Sequence, residues 1–151
     1  MKLELLAAMF CISMLLGCAS APQPQGKGSP IMCTFDYAAF SCSSASLSAD
    51  GKLSLAIKNE KETAFVHKII CTNSKSPTPP SFGTAFSAEP TIKSGESYSP
   101  ENGIACLDQN GNALGKIPDD FSGKVWVFYN YASDGQDYPP RVSTASIAKI
   151  S

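Results

Sequence analysis

The chain has 151 residues, a formal charge of −1 and 17% charged residues, with one histidine, His67. That length is one domain's worth, and the near-neutral balance leaves no basic footprint for nucleic acid. Ser, Thr, Gly and Pro fill much of the remainder, a composition suited to short strands joined by turns rather than to helices.

Met1-Lys2-Leu3-Glu4 is a short n-region, and Leu5 to Leu16 is an apolar run broken only by Ser13. The run is too short to span a bilayer and has the length of a signal-peptide core. It ends in Leu15-Leu16-Gly17-Cys18, which resembles the lipobox of prokaryotic lipoproteins. That resemblance implies cleavage after residue 17 and a diacylglyceryl-type lipid on the Cys18 thiol. Two acyl chains at ~0.8 kcal/mol per buried methylene hold a protein stably at a membrane. The plainer readings are an ordinary signal cut after Ala19 or Ala21 with Cys18 incidental, or an uncleaved anchor. Residues 1–17 are thus read as signal peptide and 18–32 as lipidated cysteine plus linker. Ala19 to Pro30, ASAPQPQGKGSP, has no periodicity and no large apolar side chain, so it reads as a tether.

Residues 33–151 form the expected domain. Phe40 to Leu47 is the first predicted strand, and Asp50-Gly51 signals a tight hairpin turn. Lys52 to Asn59 alternates cleanly, with Leu53, Leu55 and Ile57 on one face. Phe65 to Thr72 is the third strand, its mixed phase around Lys68 pointing to a bulge. A Pro-rich loop follows from Ser74 to Pro80. Phe82 to Phe86 and Thr91-Ile92 read as a weak edge strand, and Lys93 to Glu96 as a turn. Ile104 to Leu107, Lys124 to Tyr131 and Arg141 to Ile150 complete the set, with a turn at Asn110-Gly111. About seven strands without an amphipathic helix predict an all-β, immunoglobulin-like sandwich, with closure into a small barrel as the alternative.

Phe40-Ser41-Cys42, Leu53-Ser54-Leu55-Ala56-Ile57, Ile70-Cys71-Thr72, Ser94-Gly95-Glu96-Ser97 and Phe121-Ser122-Gly123-Lys124-Val125-Trp126-Val127 together resemble the sandwich domain of exported archaeal envelope proteins. Many of those are pilin-like, with a long hydrophobic N-terminal helix. The resemblance covers roughly residues 33–150 and implies fold and an envelope location. A lipobox stands here where the pilin-like members carry the helix on which pilus assembly depends.

Cys11 falls in the signal and Cys18 is the lipid site, leaving Cys33, Cys42, Cys71 and Cys106. An even number in an exported chain predicts two disulfides. If Asp50-Gly51 makes a hairpin, Cys42 lies far from that turn, and the next two strands carry Cys71 to the opposite end. Seven residues of strand span about 23 Å, whereas bridged Cα atoms lie within about 7 Å. Cys42–Cys71 is disfavoured, and Cys33–Cys42 with Cys71–Cys106 fits best. Without a C-x-x-C pair or a histidine cluster, zinc is not implied.

No G-x-S-x-G, H-E-x-x-H, phosphate loop or nucleotide fingerprint is present, so no enzyme and no cofactor is expected. His67 sits among apolar strand neighbours, and Asp119-Asp120 and Asp134…Asp137 read as solvated turn carboxylates rather than a calcium cage. On Lys124 to Tyr131, Val125, Val127 and Tyr129 share one face, and Trp126 and Phe128 the other. If the valines face the core, the two aromatics mark a candidate contact surface. If the phase is reversed, or a loop covers them, they do not. The expected function is a lipid-anchored binding or structural module touching an envelope protein or glycan. A filament subunit, or a lipid-anchored enzyme or metal binder, is the alternative.

Overall fold

A computed structural model describes residues 28–73, 78–83, 85–86, 88–135 and 137–150. The expected signal segment, Cys11, Cys18 and the expected tether as far as residue 27 lie outside the described residues. Nine strands follow one another with no helix among the described residues: β1 (Ser29–Phe35), β2 (Phe40–Leu47), β3 (Lys52–Asn59), β4 (Ala64–Thr72), β5 (Thr91–Ile92), β6 (Ser97–Tyr98), β7 (Ile104–Leu107), β8 (Ser122–Tyr131) and β9 (Arg141–Lys149).

The chain is all-β. Seven strands run in the order β2-β1-β9-β8-β4-β7-β3, and β3 pairs back onto β2, so the wall closes as a barrel. The finding departs from an immunoglobulin-like sandwich because two strands serve both sheets. β1 pairs with β2 through Ser29 and Pro30, then turns to pair with β9 from Ile31 to Phe35. β7 pairs antiparallel with β3 through Lys52 and Leu53 and parallel with β4 through Cys71 and Thr72. β5 and β6 add two-residue patches to β4 and β3.

The interior is supplied by alternate residues. β3 buries Leu53, Leu55 and Ile57, the face its sequence alternation marks, and β8 turns Val125, Val127 and Tyr129 inward against them. Gly51 closes the β2–β3 hairpin at φ +84°, and a Cβ there would collide with the Leu114 carbonyl. Only glycine satisfies both constraints. The bulge expected near Lys68 falls at His67, where the β4–β8 register shifts between Val66 and Lys68. Of the expected weak edge strand, Thr91-Ile92 forms β5, and the described residues from Phe82 to Phe86 lie in no strand. β1 was not foreseen; it begins inside the predicted linker, where Ile31 and Cys33 alternate inward against β9.

Both disulfides are those the strand directions select. Cys33–Cys42 joins β1 to β2, and Cys71–Cys106 joins β4 to β7, with Cα separations of 6.0 and 4.4 Å. Each sits at a corner where the two sheets change partners.

Strand directions give the barrel two unlike ends. At the base lie Gly28, the β2–β3 turn and Ile150. The β7–β8 connection closes that end, with Ile117 N–H donating to Ala49 O, while β7 itself contributes the bond from Cys106 N–H to Gly51 O. At the roof lie the segments 36–39, 60–63, 93–96, 132–135 and 137–140.

Candidate functional site

The outer face of β8 carries Trp126 and Phe128, as the inward valines require. Trp126, however, is only 2% exposed, so the expectation of two exposed aromatics is corrected for Trp126. The cause is the β4–β5 connection, whose described residues lie against this face. Thr78 to Phe82 of that connection, with Thr72 and Gln109, line a hollow of about 350 Å³ against the indole. Trp126 Nε1–H donates to Thr72 Oγ1 at 3.3 Å, and Lys124 Nζ lies 5.5 Å from the ring centroid. Phe128 is half-buried, with Lys68 Nζ 5.5 Å from its ring centroid. Each lysine is half-buried and brings its charge to one ring.

The exposed aromatics are elsewhere. Tyr37, 73% exposed, lies in the β1–β2 loop, and Tyr138, 48% exposed, in the β8–β9 loop. Phe65, 37% exposed, stands near the roof end of β4. All three belong to the roof third, and Tyr138 is held in place. Asp134 accepts two bonds from Arg141, from Nε at 3.0 Å and from a terminal nitrogen at 2.8 Å, and a third from Tyr131 N–H at 2.8 Å. The Arg141 guanidinium lies 5.3 Å from the Tyr131 ring centroid and 4.7 Å from that of Tyr138. Those bonds, Arg141 foremost, hold the Asp134 carboxyl down at about 2. Burial, with a bond from Tyr131, pushes the Tyr129 phenol well above its usual range. A carboxylate-locked guanidinium packed against two tyrosines presents Tyr138 as a rigid ring, which lowers the entropy lost when a partner covers it.

His67, at the bulge, bridges two elements. Its Nδ1 lies 2.7 Å from Glu89 Oε1 in the β4–β5 connection, and its Nε2 lies 2.6 Å from Asn130 Oδ1. Asn130 Nδ2 in turn donates to Tyr138 O at 3.2 Å. Both ring nitrogens are engaged in holding the connection to the barrel wall. Asp119 pairs with Lys149 at 3.4 Å, and among the described residues no three His, Cys, Asp or Glu side chains gather as a metal site.

The structure thus brings the four cysteines together in pairs and separates Trp126 from solvent. The roof tyrosines were missed because they sit in turns, where no periodicity marks a direction. Their one sequence signal is an aromatic residue inside a segment of turn formers, Asp36-Tyr37 and Tyr138-Pro139-Pro140. No family model, curated protein or solved structure matches the chain.

Proposed function

We propose that this protein is an exported, lipid-anchored envelope module that reaches a neighbouring envelope protein or glycan with the roof of its barrel. The observation that carries the reading is the barrel's polarity: the chain enters at the base, at Gly28, and the exposed Tyr37 and Tyr138 rings lie at the other end. A lipid on Cys18 would hold the base toward the membrane on a tether of residues 19–27 and turn the roof outward. Two disulfides fit an oxidising, extracytoplasmic compartment. The likeness to exported archaeal envelope proteins belongs to the same proposal. Tyrosines on rigid loops give contact area to a sugar face or a protein surface at low entropic cost.

The test uses the full chain in a lipoprotein-processing prokaryotic host. The mature protein should begin at lipid-modified Cys18 by intact mass, and Cys18→Ser should leave the chain unprocessed or released. A photo-crosslinking residue at position 138 should capture an envelope protein or glycan in intact cells, and one at exposed position 116 on the base should not. A mature N-terminus elsewhere sinks the anchor. Crosslinks from the base and none from the roof sink the docking face.

A further inference from the structure

β4 has strand neighbours on its β7 side only at its two ends: β5 at Ala64 and Phe65, and β7 at Cys71 and Thr72. β3 is likewise joined by β6 at Ile57 and Lys58 and by β7 at Lys52 and Leu53. Between these bridges the side wall opens into a cleft of about 700 Å³, within the range of small-molecule sites. One wall is Ile70 with Phe86 of the β4–β5 connection, and the other is Tyr98, Pro100 and Ile104. The Phe86 and Tyr98 rings meet edge to face across it, centroids 6.0 Å apart.

Among the described residues, Glu101 is the one charged side chain lining this cleft. It is exposed, and its carboxylate has no hydrogen-bond or ion-pair partner among the described residues. Its charge bears on Tyr98, whose phenol is pushed up first by burial and then by Glu101. Among the described residues no lysine lines the cleft to answer it. Lys68 is turned over the Phe128 ring, and Lys52 flanks Gly103; neither lines the cleft. An apolar, half-enclosed slot with one unanswered carboxylate beside an aromatic pair favours a cation with an apolar stem. The ring faces and the carboxylate attract positive charge, and the same carboxylate repels an anion.

We infer that the side-wall cleft is a binding site for a small organic ammonium, its apolar stem against Ile70, Phe86 and Ile104 and its charge between Glu101 and Tyr98. The site stands apart from the roof and from the roof's partner.

The experiment titrates the isotope-labelled, disulfide-intact full chain in zwitterionic detergent with phenethylammonium, 2-phenylethanol and phenylacetate, following amide shifts. Phenethylammonium should give saturable shifts at residues 69–70, 85–86 and 98–104, binding about tenfold tighter than phenylethanol, which is about 1.4 kcal/mol. Phenylacetate should bind weakest. Glu101→Gln should remove the tenfold preference and leave phenylethanol affinity unchanged. Glu101→Lys should reverse the order toward phenylacetate, so the inference stays testable if either variant folds poorly. A capped Phe-Lys dipeptide binding tighter than phenethylammonium assigns the charge to a lysine side chain; weaker binding assigns it to a free amine. Absence of saturable cleft shifts, equal affinity for cation and anion, or an unchanged preference in both Glu101 variants overturns the site.

Discussion

Breaking the two disulfides separately should produce unequal losses in a fixed order. The Cys71–Cys106 bridge closes a loop of 35 residues and Cys33–Cys42 one of 9. On chain entropy these contribute about 4 and about 2.6 kcal/mol. The structure adds a reason for the larger loss to be realised in full. β7 is four residues long and touches each neighbour through only two residue pairs, so the covalent link carries much of the closure on that side. β1 keeps five pairs with β9 when its own link is cut. Replacing both partners by alanine keeps the buried sites apolar, since Cys71 and Cys106 are fully buried. For a domain of about 120 residues, roughly 4 °C of midpoint follows each kcal/mol. Cys71→Ala/Cys106→Ala should therefore melt about 15 °C lower, and Cys33→Ala/Cys42→Ala about 10 °C lower, by circular dichroism on the full chain. Hydrogen exchange should show Lys52, Leu53 and β7 opening first in the former. A reversed order, or two losses under 3 °C, would refute the view that closure at β7 depends on its bridge.

Trp126→Ala should cost about 3–5 kcal/mol, the range for emptying a buried aromatic site, rather than the ~0.5 kcal/mol of an exposed one. Trp126→Phe, which mainly gives up the bond to Thr72, should cost much less; near-equal melts for both would contradict burial by the β4–β5 connection. Asp134 titrates at about 2 in the folded chain and near 4 unfolded. Its contribution is therefore present above about pH 4 and is lost as pH falls toward 2. Near-ultraviolet dichroism of the roof tyrosines should change over that window, and Asp134→Asn should remove the change. Persistence of the transition in the variant would assign it to another group.

Period-two alternation was enough to orient β3, whereas on β8, apolar on both faces, it grouped Val125, Val127 and Tyr129 without deciding which set faces inward. Leu53, Leu55 and Ile57 form one apolar row against polar neighbours, and such a row faces the core wherever the strand is placed. The hairpin at Asp50-Gly51 and the strand directions that follow it also determine which cysteines can meet, because strand length is fixed per residue. Other features depend on segments without a period. β1 follows a Pro- and Gly-rich run with too few apolar residues to display alternation, yet its pairing with β2 and β9 helps turn two sheets into a barrel. β7 closes the other side with two-residue contacts that local sequence does not encode. Trp126 shows the division in a single residue. With Val125 and Val127 packed in the core its side chain lies outside the barrel, but the sheet's outer face is solvent or interior according to what crosses it. That is decided by where Thr78 to Phe82 come to lie, a property of the assembled strands.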